Sequence, residues 1–421
     1  MPQAWRILIG LLAGLALGAG AVWAGLGGLD RVTAIAGPIG GLWLDALKMT
    51  IIPLVVALLI TGIARTADSA RGGGLALKSV ALFVGLLWLS TAIAAILIPS
   101  LLVLWPMPQE AAQALRAALG QPHVEVGAPP GFADFLGSIV PTNPIAAAAA
   151  DAMLPLILFT TLFAIAITRL PATQREPLTA FFAAIADAML VMVGWVLWLA
   201  PLGVFALALV VGIQAGTSAI GALLHYIVIV SCAGLAAWAL AYPMAAFGGG
   251  LRLGAFVRAV APAQAVALST QSSLASLPPM LRSCATLGVP ASVASVSLPI
   301  AVAIFRVTSP AMNLAVAIYV AHWFGMSLDP ATIATGAVVA AVTTMGSVSL
   351  PGQISFLTSI TPIAVAMGVP LEPLALLVAV EMIPDLVRTV GNVTMDVAAT
   401  SAIARHSGVI SESSTSPVTD S

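Results

Sequence analysis

Apolar runs long enough to cross a lipid bilayer follow one another along almost the whole chain, and they leave few fold classes open. They cover roughly Trp5–Leu26, Ile39–Ile63, Leu77–Leu104, Ile145–Ile167, Ala180–Val211 and Ala219–Phe247. Others span about Phe256–Leu287, Val293–Phe324, Thr332–Met367 and Leu371–Ile403. Crossing the hydrocarbon core takes about 20 helical residues, so the longer runs must tilt, bend or break. Pro53, Pro155, Pro201 and Pro299 sit where they could kink. Only 7% of residues are charged, against about 25% in a soluble domain. The expected class is an all-α polytopic membrane protein. A net charge of −1 with no basic run gives no nucleic-acid footprint. Cys232 and Cys284, far apart in apolar surroundings, read as small core hydrophobes. The first apolar run reads as a retained span and the Ser/Thr-rich tail, 407–421, as disordered.

Against that background the charges inside the spans are informative. Arg306 is a lone cation in Val293–Ala321, and Asp385, Arg388 and Asp396 punctuate the last run. A charge at mid-bilayer costs about 2.5–3.5 kcal/mol on insertion scales, so it persists only if paired or wet. These four side chains imply a polar site within the protein. Asp385, Arg388, Thr389, Asn392 and Asp396 fall on one helical stripe, which must face protein. An arginine fork suits a carboxylate and an aspartate suits an ammonium, which favours an acidic amino acid over a plain dicarboxylate. The alternative is an internal Asp385–Arg388 ion pair. Glu381, four residues before Asp385, reads either as a proton carrier or as a helix-end residue facing the headgroups. The headgroup position is the expectation. His322 reads as structural or interfacial, and Asp45 and Lys48 as a local pair.

Two segments interrupt their spans. Ser269–Pro279 and Thr343–Gln353 place small hydroxylic residues with Pro or Gly at mid-span. Irregular backbone at that depth survives only when buried or lining a wet cavity. Such a pair points to a binding site made of re-entrant hairpins; two kinked helices joined by Ser/Thr contacts are the plainer reading. The hairpin topology puts Arg6, Arg65, Arg71, Lys78, Arg169, Arg175, Arg252, Arg258, Arg282 and Arg405 on the cytoplasmic side, leaving Arg31 and Arg116 outside. Both termini are then cytoplasmic and Pro106–Pro144 is an external loop.

Several blocks resemble the dicarboxylate/amino acid:cation symporters, the family of the glutamate transporters. They are Lys48–Val55, Ile139–Pro144, Ala200–Ala206 and, most sharply, Asp385–Asp396. The resemblance covers nearly the whole chain. It implies eight transmembrane helices plus two re-entrant helical hairpins, a homotrimer in the inner (plasma) membrane, and elevator-like movement. By this resemblance 1–75 is scaffold (spans 1 and 2), 76–104 the third span, in the transport domain, and 105–147 the external loop. Within 148–247, spans 4 and 5 are scaffold and span 6 belongs to the transport domain, which continues through 248–406. It implies substrate binding by Ser272, Ser273, Ser347, Asp385, Arg388, Thr389 and Asn392, with Arg388 on the distal carboxylate. The expected activity is secondary symport of a small anionic solute such as aspartate or glutamate. C4-dicarboxylate or neutral amino acid symport, or a non-transporting sensor, is the alternative. No nucleophile–base pair, metal cluster or phosphate loop supports an enzyme, and no cofactor is expected beyond sodium or a proton as coupling ion.

One motif departs from the family. Where it carries Asn-Met-Asp-Gly-Thr to build sodium sites, this chain reads Phe305-Arg306-Val307-Thr308-Ser309. Phe and Val supply no side-chain oxygen, and the family's third-span tyrosine is absent; Ser90 and Thr91 remain nearby. Asp396, the remaining sodium carboxylate of the family, would stand unpaired. The expectation is that Arg306 pairs with Asp396 as a built-in cation beside Asn392, making transport sodium-independent. Two rivals stay open: Arg306 enters the substrate cavity, or coupling is lost.

Overall fold

The computed structural model describes residues 3–71, 73–107, 112–113, 140–150, 152–216, 218–346 and 352–407. Among them every regular element is helical. The first four helices are α1 (Gln3–Trp23), α2 (Leu29–Lys48), α3 (Ile51–Arg71) and α4 (Gly74–Leu104). A short α5 (Pro144–Ala149) leads to α6 (Met153–Arg169), α7 (Ala172–Trp198), α8 (Ala200–Ala215) and α9 (Ser218–Ala239). After a π-helical turn, Met244–Gly248, come α10 (Leu253–Thr270), α11 (Leu277–Thr286), α12 (Ala291–Ile304) and α13 (Thr308–Trp323). The chain ends with α14 (Pro330–Gly346), α15 (Gly352–Ala366), α16 (Leu374–Val380) and α17 (Met382–His406). Seven helical stretches among the described residues are long and apolar enough to cross a bilayer.

Proline explains much of this segmentation. Pro53, Pro155 and Pro201 fall at the third, third and second residues of α3, α6 and α8. A first-turn N–H has no helical partner, so proline costs little there and restarts a helix instead of kinking it. Pro299, by contrast, lies inside α12, which stops five residues later.

α1 meets α8 along glycines spaced by four. A Cβ on Gly10 would sit 2.6 Å from the Pro201 carbonyl, on Gly14 2.6 Å from that of Phe205, and on Gly18 2.5 Å from that of Leu209. The small-residue seam lets two backbones touch where lipid offers no hydrophobic drive for association. Two large apolar clusters form the core. The larger draws on α1, α3, α8, α9 and α13–α16. A second gathers α10–α12 and α17 around Phe83, Phe256 and Phe305. α17 runs through the latter, buried at nearly every position from Asp385 to Ala404. Most of 105–147, expected as an external loop, residues 347–351 with Ser347, and the tail beyond Ser407 lie outside the described residues.

Candidate functional site

The site grows from a break in the seventh apolar run. α12 ends at Ile304, Phe305 is extended (φ −112°, ψ 113°), and α13 restarts at Thr308. The three residues between alternate in direction. Phe305 and Val307 are buried in the second core, Phe305 stacking on Phe83 at 4.5 Å. Arg306 turns instead to a cavity. The buried start of α13 needs an acceptor, and Asn392 of α17 supplies it: Thr308 N–H donates to its Oδ1 at 3.0 Å. Thr308 Oγ1 also lies 2.8 Å from that oxygen and 2.9 Å from the Arg388 carbonyl.

A second wall comes from the turn between α10 and α11. Gln271 adopts the left-handed conformation (φ 50°), and its amide donates to the Met382 carbonyl at 3.3 Å. The turn thereby docks on the start of α17, with Ser272 accepting from Ala275 N–H at 3.2 Å. Together these elements and Ser355 line an open cavity of about 310 Å³. The stripe on α17 lines it with Asp385, Arg388, Thr389 and Asn392, opposite Ser272 and Ser273. Arg306 and Ser309 complete that wall, and the adjoining turn adds Thr270 and Gln271. Every expected substrate residue among the described ones therefore shares one chamber.

Arg388 is already committed within it. Its Nη2 meets Glu381 Oε1 at 2.6 Å, its Nη1 donates to Asn313 Oδ1 at 2.8 Å, and its Nε lies 3.3 Å from Asp385 Oδ1. The headgroup position expected for Glu381 is thus incorrect: the residue is 2% exposed, and its Oε2 has no partner. The junction of α16 and α17 carries it inward, because residues 381, 385, 388 and 392 are spaced by four, three and four and share one face. That spacing was available in the sequence. So was Asn313, an isolated amide in an apolar run, although nothing local announced its partner. Asp45 and Lys48 do pair, at 3.8 Å, but Glu372 lies nearer at 3.0 Å.

The expected Arg306–Asp396 contact does not form, although the two groups still attract each other at longer range. No ion pair joins them within 4.0 Å, and both Asp396 oxygens are buried without a hydrogen-bond partner. The reason is geometric. Asn392 is the residue that faces the break, Asp396 lies one turn (about 6 Å) further along α17, and Arg306 points into the cavity. Ser90 and Thr91 are buried but spend their hydroxyls on the Leu87 carbonyl, at 3.0 and 2.8 Å. No group of three acidic, His or Cys side chains among the described residues could hold a metal ion.

Comparison with known proteins agrees with this architecture. A family model described as the sodium:dicarboxylate symporter family matches residues 4–406. The chain is 29% identical over 408 residues to the proton/glutamate-aspartate symporter of Escherichia coli (strain K12), covering 96% of this chain and 92% of that protein. Identity is also 29% over 418 residues with the proton/sodium-glutamate symport protein of Bacillus subtilis (strain 168), 96% and 93% being covered. With C4-dicarboxylate transport protein 3 of Ralstonia nicotianae it is 26% over 409 residues, 96% and 88% covered.

Proposed function

The chain belongs to the sodium:dicarboxylate symporter family, and on that premise we propose that it carries a small acidic solute, most simply aspartate or glutamate, across a membrane. It is a carrier and not an enzyme. One observation supports the substrate class above all: a cavity in which two guanidiniums, an aspartate and several hydroxyls converge. Ser272, Ser273, Asp385, Arg388, Thr389 and Asn392 line the proposed binding site, and the family resemblance adds Ser347 to it. The reading includes eight spans and two re-entrant hairpins, α10–α11 and α14–α15, assembled as a homotrimer in the plasma membrane. The half bearing α4 and α9–α17 moves against a scaffold of α1–α3 and α6–α8.

Transport is taken to be independent of sodium. Phe305 and Val307 bring no side-chain oxygen to the break, Phe305 is locked against Phe83, and a dehydrated cation needs several oxygen ligands. In proteoliposomes, counterflow of labelled aspartate is expected to proceed at the same rate with choline in place of sodium. Strict sodium dependence would overturn the ion assignment; binding without counterflow would make the protein a sensor.

A C4-dicarboxylate is the second reading, favoured by the 3.3 Å Asp385–Arg388 contact. That contact neutralises much of the repulsion an aspartate would offer to a dianion. Succinate competing as well as aspartate in the same assay would select it.

A further inference from the structure

We propose that His225 binds a proton that is co-transported with the solute, at a site separate from the solute cavity. The inference rests on the acidic-solute, sodium-independent reading above and supplies its coupling ion. It starts from a count of hydrogens. His225 Nε2 lies 3.0 Å from the Trp105 carbonyl, and its Nδ1 lies 3.0 Å from the Tyr319 hydroxyl. That hydroxyl is also 3.1 Å from the Ala222 carbonyl. A carbonyl only accepts, so Nε2 donates to Trp105, and the phenol's single hydrogen goes to Ala222. The contact between Nδ1 and Tyr319 then needs a hydrogen of its own, which only the imidazolium has. In the neutral ring the phenol turns its hydrogen to Nδ1 and gives up Ala222. An incoming proton settles on Nδ1, the phenol swings back, and all three contacts are made. No other bond forms or breaks.

The position suits this task. His225 is 5% exposed, but Trp105 beside it is 51% exposed. The next two residues, Pro106 and Met107, line an open pocket of about 500 Å³ together with His322. On the hairpin topology this is the outer end of the bundle, so the ring can draw on the external solution. The buried acids are placed differently. Glu381 and Asp385 pair with Arg388, and Asp396 is 0% exposed within the second apolar cluster.

Few titratable groups surround the imidazole. α13 brings Tyr319 and His322. α4 ends at Trp105 and carries Lys78 near its far end, while α8 and α16 carry no titratable side chain. On α9 itself Tyr226 packs edge-on against Tyr319, with ring centroids 5.3 Å apart. From α17, Glu381 and Arg388 act electrostatically on the Tyr226 hydroxyl.

Charge gives the proton its purpose. Aspartate or glutamate adds one negative charge to the half of the protein that moves, and a net charge is costly within a bilayer. A protonated His225 on α9 cancels it. α13 joins the two sites: Tyr319 meets the imidazole, and Thr308 at its start bonds Asn392 of the cavity.

Uptake of labelled aspartate into proteoliposomes in choline buffer, with and without an inward proton gradient, tests this against counterflow in the same vesicles. Counterflow needs no driving ion and reports on the solute site. The parent is expected to accumulate aspartate when the gradient is applied. In His225→Gln, uptake per unit of counterflow is expected to fall to the level seen without a gradient. Tyr319 is a positioning residue. Tyr319→Phe should need a more acidic exterior for the same stimulation, because the charged ring loses the stronger hydrogen bond. Full stimulation in His225→Gln would overturn the inference, as would an unshifted pH profile in Tyr319→Phe. Loss of stimulation in Glu381→Gln alone would move the proton to Glu381. Equal loss of uptake and counterflow in a folded His225→Gln would make the residue structural, which also overturns it. Should His225→Gln not fold, the Tyr319→Phe profile decides. A parent active in counterflow but insensitive to the gradient would remove the coupling proton and leave the carrier standing; a parent without counterflow would bring down the carrier reading as well.

Discussion

Arg388 and Glu381 show how much one contact decides at the scale of the residue. Their 2.6 Å pair is buried on both sides, at 8% and 2% side-chain exposure. Replacing such a pair by apolar groups can be neutral, but removing one partner leaves an uncompensated charge and costs about 3–5 kcal/mol. Glu381→Ala should therefore lower the unfolding midpoint in detergent by far more than Glu381→Gln, which keeps an acceptor for Nη2. Equal stability of the two variants would mean that the ion pair contributes little. Asp396 is the opposite case, a fully buried carboxyl whose oxygens meet no donor. Its neighbours along α17, Met395 and Val397, belong to the apolar core.

Individual elements obey simpler rules. α14 begins where Asp329 accepts from the Thr332 N–H at 2.7 Å, as an N-cap does. The hydrogen bonds from Thr332 hold the Asp329 carboxyl below the usual range. A depressed folded value means that the cap's contribution is full above the unfolded carboxylate range, near pH 4. It is lost as pH falls through the lower folded value. Asp329→Ala should cost about 1 kcal/mol at neutral pH, and the gap to the parent should close on acidification. A thermal melt of both proteins at pH 7 and pH 3 checks this; a constant gap would rule out the titrating cap. The seam of Gly10, Gly14 and Gly18 on α8 is another element-scale device. Its spacing lies open in the sequence, although its partner helix does not.

For the whole molecule, the question is which half sits on which side of the bilayer. If α10 and α11 form a re-entrant hairpin, Arg258 and Arg282 emerge on the same face. Both are exposed. Single cysteines at these positions, in a background lacking Cys232 and Cys284, should be labelled by a membrane-impermeant maleimide from the cytoplasmic side only. Labelling of 282 from the outside would replace the hairpin with two full spans.

Hydropathy and helical spacing, which depend on neighbours along the chain, were sufficient to establish an all-helical membrane protein. They also located the α17 stripe, the serine-rich turn and the lone cation Arg306, but not the helix break on which Arg306 sits. Pairing was a different matter. Whether Arg306 meets Asp396 or the cavity, and whether Glu381 faces lipid or Arg388, depends on the rotation of α17 against the broken seventh run. That rotation is set by packing between residues some 80 positions apart, such as Thr308 on Asn392. Charge and periodicity do not encode it, because several rotations satisfy the same pattern and only close packing selects one.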